Sequence, residues 1–304
     1  MKSEPLKIIL VYILLCFIWG STWLAIRLGL ESLTPMLSAG IRFMLASIFI
    51  YTLMKIRNIS IQKDAVAIRL YLLMGFFSFV IPFGLVYWAE QFVPSGMASV
   101  LFAVYPFFVV IFSFVRIPAD KIGVYKIVGT IIGFVGIVVI FSDSFSGNLS
   151  DLILGMIACV LSGIIQAWIA VSIKKFGHHL NPLSMNLYPM IIGGVFLFAI
   201  GYFTEDLSNI RFDKNAILSV LYLGFFGSVV TFTSFYWLMK RINVVILSLM
   251  TFITPIVALI LGYFVYNEVL STRHFIGSAM VLAGVFGANI GNSSKNKRKD
   301  SVVE

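Results

Sequence analysis

Residues 75–106 read GFFSFVIPFGLVYWAEQFVPSGMASVLFAVYP, and residues 224–255 read GFFGSVVTFTSFYWLMKRINVVILSLMTFITP. Aligned at an offset of 149 residues, the two stretches share nine identities in 32 positions. The matches include the opening Gly-Phe-Phe, a Tyr-Trp pair and the final proline, an order that apolar composition alone does not produce. The chain therefore contains an internal duplication, and its architecture follows from one half and its copy.

Composition places most of this chain in lipid. Hydrophobic residues make up 60% of the 304 positions and charged residues 12%, with a mean hydropathy of +1.01. A soluble domain has roughly half apolar and about a quarter charged residues, so a water-soluble fold could not cover this much apolar surface. We therefore expect an integral membrane protein.

Long apolar runs mark the membrane spans. A spanning helix needs about 20 apolar residues, whereas transmembrane strands of about 10 residues alternate in polarity, which these runs do not. Two runs are weaker, because Arg42 interrupts the second and the fifth is short. The predicted fold class is all-α, with ten transmembrane helices at 8–26, 34–54, 70–89, 91–115, 127–142, 152–173, 180–204, 215–239, 242–267 and 275–294.

Five spans fall in each copy, which gives two halves at 1–145 and 146–292. An odd number of spans turns the second half upside down relative to the first. Inverted repeats of this kind typically hold a substrate site near the bilayer midplane. Glycines extend the duplication to the last span of each half, where we interpret them as sites of close helix packing. The matching glycines are Gly129 and Gly136 with Gly277 and Gly284.

Basic residues indicate the orientation, because cytoplasmic loops collect Lys and Arg. With both termini in the cytoplasm, 17 of the 22 basic residues lie inside, four lie outside and Arg42 lies within the membrane. We expect a multi-pass protein of the cell (plasma or inner) membrane, ending in a disordered basic cytoplasmic tail at 293–304. The net charge of +9 follows from this asymmetry and requires no nucleic-acid partner.

Polar and aromatic side chains within the spans are the candidates for a central cavity, since such groups avoid lipid. Two other interpretations stay open: Ser and Thr often bond to their own helix, and Trp and Tyr often form belts at the membrane interface. The candidate cavity residues are Trp19, Ser21, Thr22, Arg42, Tyr87, Ser99, Tyr105, Gln166, Trp168, Ser234, Tyr236, Ser248 and Thr251.

Arg42 is the most unusual residue within a span. An arginine at the centre of a spanning helix costs about 2.5–3.5 kcal/mol on insertion scales, so its side chain should point inward. No Asp or Glu stands at a mid-span position to neutralise it. Two roles remain open, a structural anchor for neighbouring oxygens and a contact with a substrate carboxylate.

Prolines occupy equivalent positions in the two halves, at Pro106 and Pro255. A proline within a helix removes a hydrogen bond and tends to kink the helix. Because interrupted helices at corresponding places often mark the substrate region, we consider both residues candidates for a gating bend. A kink that serves packing alone is the alternative.

Several other function classes lack their characteristic residues. The histidines His178, His179 and His274 lie in or beside loops, and there is no nucleotide-binding loop, so we predict neither an enzyme nor a metal or other cofactor. Glu90 lies near the outer end of its span, away from the midplane, and leaves proton coupling and facilitated diffusion equally open. The expected partners are the lipid bilayer and a small-molecule substrate; the oligomeric state is not predicted.

The order of motifs resembles that of the drug/metabolite transporter superfamily, in particular its EamA-like branch. The residues that match are the stretch Trp19-Gly20-Ser21-Thr22-Trp23, then Pro35 and Arg42, and later Pro106 and Pro255. The resemblance covers both halves. It implies ten helices and the export of small metabolites such as amino acids. A passive small-solute channel or facilitator and a drug or toxic-compound efflux carrier are the alternatives.

Overall fold

The protein is almost entirely helical in the part of the chain that the structure describes. This computed structural model describes residues 3–93, 95–117, 123–141, 149–266, 272–273, 275–284 and 287. The helices are α1 (Ser3–Leu30), α2 (Pro35–Ile56), α3 (Ala65–Met74), α4 (Ile81–Ala89), α5 (Ser95–Phe102), α6 (Tyr105–Arg116), α7 (Val124–Phe141), α8 (Leu149–Phe176), α9 (Ser184–Thr204), α10 (Lys214–Gly224), α11 (Thr231–Met239), α12 (Val244–Ser248), α13 (Met250–Tyr266) and α14 (Phe275–Gly284).

Within these residues, seven helical stretches are long and apolar enough to cross a membrane. They coincide with the first, second, third, sixth, seventh, eighth and ninth predicted spans. Shorter apolar helices, α6, the first part of α7, and α14, stand at the fourth, fifth and tenth positions. The all-helical membrane fold is confirmed, and the count of ten spans stays a prediction. The tail at 293–304 lies outside the described residues.

The fourth predicted span, 91–115, is not one continuous helix. It consists of α5 and α6, and the chain turns at Ala103 and Val104 between them. Pro106 stands in the first turn of α6. At that place its missing N–H leaves no intrahelical bond unmade, so the proline starts a helix rather than bending one.

Pro255 of the second half behaves differently, because it lies inside α13. The helix break, at Leu249 between α12 and α13, comes six residues earlier. Pro255 cannot donate to the carbonyl of Thr251 four residues before it. The Thr254 hydroxyl donates to that carbonyl instead, at 3.1 Å, and the helix continues.

The third and eighth spans both contain one wide turn of π-helix. In the first half the π segment Gly75–Val80 joins α3 to α4, and in the second half the π segment Phe225–Val230 joins α10 to α11. A π turn inserts an extra residue into the helix and shifts its backbone hydrogen bonds from i−4 to i−5. The Ile81 amide accordingly donates to the carbonyl of Phe76.

Aspartate residues start both of these spans in the same way. The Asp64 carboxylate accepts a hydrogen bond from the Ala67 amide at 3.0 Å, and Asp213, 149 residues later, accepts from the Ala216 amide at 2.9 Å. These are N-caps, which satisfy amides left free at a helix start. The same bonds hold the pKa of each aspartate below its usual value.

The second helices of the two halves, α2 and α9, pack closely and antiparallel. A Cβ atom at Gly40 would lie 2.5 Å from the Phe198 backbone nitrogen, and one at Gly194 would lie 2.7 Å from the Met44 nitrogen. Higher residue numbers on α2 therefore contact lower residue numbers on α9, as antiparallel helices do. Backbones can approach this closely only where the side chain is a single hydrogen.

The fifth and last spans pair in the same manner, through α7 and α14. A Cβ at Gly136 would lie 2.6 Å from the Gly277 carbonyl oxygen, and one at Gly284 would lie 2.5 Å from that of Gly129. The prediction that these glycines serve helix packing is confirmed. Because corresponding helices of the two copies run antiparallel, the halves are inverted relative to each other.

Candidate functional site

A cavity opens between the two inverted halves. Its empty volume is about 890 Å³, counting the space at its open end. The first half contributes α1, α2, α4 and the α5–α6 turn, and the second half contributes α8, α11 and α13. The predicted residues that line it are Trp19, Thr22, Arg42, Tyr105, Gln166, Tyr236 and Thr251.

Arg42 reaches from α2 across to the second half. Its guanidinium donates to Ser228 Oγ at 3.0 Å, to Tyr87 Oη at 3.1 Å and to the Gly227 carbonyl at 2.9 Å. Only 1% of the residue is exposed, although it contributes to the cavity wall. The anchoring role proposed for Arg42 is thus present in the structure.

The Gly227 carbonyl can accept this bond because it belongs to the second π segment. The widened turn shifts the local hydrogen bonds, and the Thr231 amide, four residues on, donates to the carbonyls of Phe226 and Ser228 instead. A backbone oxygen in lipid must find a partner within the protein. Arg42 supplies that partner, so the π turn and the arginine stabilise each other.

The charge of Arg42 is not cancelled by its hydrogen bonds, because all three acceptors are neutral oxygens. Phe43 and Phe83 place their rings 5.1 and 5.0 Å from the guanidinium carbon. An aromatic face stabilises a cation without removing its charge. Arg42 therefore contributes a positive charge to this part of the cavity wall, and such a charge suits a carboxylate.

Gln166 plays the corresponding part at the first π segment. Its side-chain amide donates to the Ser78 carbonyl at 2.9 Å. In an unbroken α-helix that carbonyl would bond to the amide of residue 82, but Pro82 has no N–H to give. Next to it, the Ser162 hydroxyl donates to the Pro82 carbonyl at 3.0 Å. Two side chains of α8 therefore bond to carbonyls of this span, and Gln166 serves the one that Pro82 leaves without its usual donor.

Aromatic rings form much of the remaining wall. Trp19 packs against Phe232 and Phe235, with ring centroids 5.5 and 5.3 Å apart. Phe102 stacks on Tyr105, also in the first half, with ring centroids 5.9 Å apart. Flat apolar surfaces around a single cation form a site for a molecule with one anionic and one apolar part.

Three predicted serines do not face the cavity. Ser21, Ser99 and Ser248 each donate to the carbonyl three residues earlier, at 2.6 to 2.7 Å. A serine that bonds its own helix satisfies its hydroxyl without a ligand. Hydrogen bonding to their own helix therefore explains the positions of these serines better than a role as cavity lining.

Three further candidates also lie off the cavity wall. Tyr87 is fully buried behind it and contacts Arg42 instead. Trp168 stacks edge-on against Phe77 and lies beneath the Arg116 guanidinium, 5.3 Å from its ring. Ser234 is half-buried and is not among the residues that line the cavity. These positions reflect helix faces that an almost uniformly apolar span does not reveal.

The sequence interpretation missed Ser78 and Ser162, which both line the cavity. Ser78 is followed four residues later by Pro82, and that spacing signals a carbonyl in need of a donor. No comparable signal marks Ser162 as the donor, because the contact spans 80 residues.

Two lysines lie next to the cavity, in a small pocket that shares Ile173 and Tyr236 with the cavity wall. Lys174 Nζ donates to the carbonyls of Met239 and Ile242, and Lys240 Nζ donates to the Leu180 carbonyl. Lys174 ties the end of α8, and Lys240 ties the loop after α8, to the connection between α11 and α12. Burial lowers the pKa of Lys240. We call these two residues the lysine latch.

Two inverted helical halves around an aromatic cavity with one buried cation define a polytopic membrane protein of the transporter class. The model of the EamA-like transporter family matches residues 6–142 and 153–290, and the chain belongs to that family. The resemblance inferred from the motifs is thereby confirmed.

Similar proteins extend over almost the whole chain. The uncharacterized transporter YoaV of Bacillus subtilis is 26% identical over 92% of this chain and 96% of its own length. Protein PagO of Salmonella typhimurium is 28% identical over 93% of each chain. The uncharacterized inner membrane transporter YedA of Escherichia coli K12 is 28% identical, over 91% of this chain and 89% of its own.

A solved crystal structure shares the fold, with a TM-score of 0.79, over 93% of this chain and 96% of the other. The two sequences are only 17% identical, so this likeness concerns architecture alone.

Proposed function

We propose that the protein is a secondary carrier that exports small zwitterionic metabolites, such as amino acids, by alternating access through the cavity. The observation that carries this proposal is Arg42, whose charged guanidinium lines an aromatic cavity between two inverted halves. A carrier of this design exposes one central site to each side of the membrane in turn.

The chemistry of the walls supports the substrate class. A carboxylate would be drawn to the cation at Arg42, while an apolar or aromatic side chain would pack on Trp19 and Phe235. An organic phosphate would call for several cations, and Arg42 is the single Lys or Arg among the described residues lining the cavity. The same positive charge disfavours cationic drugs.

The lysine latch supports an alternating mechanism. It consists of hydrogen bonds between helix ends rather than of a packed apolar core, so it can open and re-form as the halves move. The export direction rests on the family resemblance. In vitro, the direction of net movement follows the imposed gradients.

Counterflow in proteoliposomes tests the proposal. Vesicles loaded with unlabelled phenylalanine, an aromatic zwitterion, should take up labelled phenylalanine faster than vesicles without internal substrate. A passive pore shows no such stimulation, and that result would contradict the carrier. Competition by other amino acids, nucleobases and cationic dyes then defines the class; strong competition by the dyes alone would favour drug efflux.

A further inference from the structure

Glu90 follows directly after α4, and its carboxylate is buried without a hydrogen-bond partner among the residues that the structure describes. Both carboxylate oxygens are inaccessible to solvent, and neither accepts a hydrogen bond from any residue that the structure describes. The acid that follows directly after α9, Glu205, accepts hydrogen bonds from the backbone amides of Met36 and Leu37 at 2.8 and 3.1 Å. Glu90 is therefore an exception that the fold does not explain.

An ionised carboxylate in such a place carries a large desolvation penalty, and binding a proton removes that penalty. Opposite charges favour the ionised form instead. Both influences are present: Arg27 from α1 and Arg42 from α2 lie within electrostatic range of Glu90. The other titratable groups in range are Tyr87 of α4 and Cys159 of α8.

Glu90 is connected to the cavity without lining it. Tyr87, one turn earlier on the same span, accepts a hydrogen bond from the Arg42 guanidinium. When Glu90 is ionised it offsets the positive charge of Arg42, and when Glu90 carries a proton that charge is available to a ligand.

We propose that Glu90 is a proton-binding site linked through Arg42 to the cavity, so that a proton and an anionic substrate group bind together. This inference rests on the proposed function. Linkage is reciprocal: a proton on Glu90 strengthens carboxylate binding at Arg42, and a bound carboxylate strengthens proton binding at Glu90. Substrate and proton then cross the membrane in the same direction.

The duplication sets the number of protons. At the offset of 149, Glu90 corresponds to Met239, whose carbonyl takes part in the lysine latch. One half therefore has a titratable carboxyl at this place and the other has a thioether. One proton per substrate is the ratio that this asymmetry predicts. Export down the substrate's own outward gradient would carry a proton out with it.

The test separates coupling from transport in the same proteoliposomes. An inward proton gradient should drive accumulation of phenylalanine by the wild type. In Glu90→Gln, counterflow should stay within about twofold of wild type, while accumulation driven by the pH gradient should fall to the level of protein-free liposomes. Glu31→Gln, an exposed acid at the end of α1, is the matched control and should retain both activities.

Each result has one meaning. Accumulation driven by the pH gradient in Glu90→Gln would overturn the inference. So would a wild type that shows counterflow but does not accumulate phenylalanine under an inward proton gradient. Both results would leave the carrier function itself intact. Absence of wild-type counterflow would overturn the proposed function and the linkage with it. If Glu90→Gln does not fold, a pH indicator in weakly buffered solution decides: the purified wild type should take up protons when phenylalanine is added, and no uptake would overturn the inference.

Discussion

The two π segments share a backbone and differ in what completes it. At Gly75–Val80 the Ser78 carbonyl accepts from the neutral amide of Gln166, whereas at Phe225–Val230 the equivalent Gly227 carbonyl accepts from the charged Arg42. Both donors line the same cavity. The duplication therefore supplies two equivalent backbone sites, and sequence divergence has made one polar and the other cationic.

This difference separates scaffold from specificity. The features common to both halves, namely π turns, N-caps and glycine contacts, build an enclosed space between inverted halves. The features found in one half alone are Arg42, which gives the cavity wall a positive charge, and Glu90, our proposed proton-binding site. Substitutions of the first kind should affect folding, and substitutions of the second kind should affect transport.

The largest effect is expected where the halves meet. In Gly40→Leu, the new side chain must enter space occupied by the Phe198 backbone, which cannot move aside. We expect a loss of about 3 kcal/mol or more, seen as a lower melting temperature and a poor yield of monodisperse protein. Gly123→Ala is the control, because no described atom outside its chain neighbours lies within 4 Å of the added methyl. Equal stability of the two variants would contradict the close α2–α9 contact.

Removing the charge of Arg42, which bonds to the second π segment, is expected to abolish most transport. Arg42→Gln loses the proposed charge-assisted contact with the substrate carboxylate, worth about 1.5–3 kcal/mol, which corresponds to a roughly 10- to 100-fold lower rate of phenylalanine counterflow. Membrane insertion should be unchanged. Arg57→Gln, at the exposed end of the same helix, should transport normally. Normal counterflow in Arg42→Gln would remove this residue from the site.

A milder effect is expected at the first π segment. Gln166→Leu leaves the Ser78 carbonyl without its donor, at a cost of about 1–3 kcal/mol of stability. Because no charge is lost, counterflow should fall by less than in Arg42→Gln. Gln91→Leu, an exposed glutamine, serves as the comparison in thermal unfolding. A larger transport defect in Gln166→Leu than in Arg42→Gln would reverse our assignment of the two segments.

The smallest effect concerns the paired N-caps. The pKa values of Asp64 and Asp213 are lowered by their bonds to backbone amides, so both caps stabilise the fold above the unfolded pKa of about 3.9. That stability is lost as the pH falls through the lowered folded-state values. Asp213→Ala should lower the melting temperature by a few degrees at pH 7 and weaken its dependence on pH below about 4. An unchanged acid profile would exclude this role.

Much of the architecture could be predicted because it depends on patterns within the chain. The duplication, the inverted halves and the glycine packing follow from repeats and long apolar runs. The inward direction of Arg42 follows from the cost of exposing a charge to lipid. These are strong energetic constraints, and they leave one arrangement.

The details of the site depend on weaker, non-local contacts. The break at Ala103 has no glycine to mark it, and the donors to Ser78 and Pro82 come from a helix about 80 residues away. In a uniformly apolar span no periodicity shows which serine faces inward. Ser21, Ser99 and Ser248 were therefore indistinguishable in sequence from the residues that line the cavity.

The inversion of the halves in the membrane is tested most directly by labelling the two equivalent loops. Lys63, before α3, and Asn209, before α10, are both exposed, and each is replaced by cysteine in a separate variant. In intact cells, a membrane-impermeant maleimide should label Asn209→Cys from outside and should reach Lys63→Cys only after the membrane is opened. Labelling of both cysteines from the same side would contradict the inverted architecture and the central cavity that depends on it.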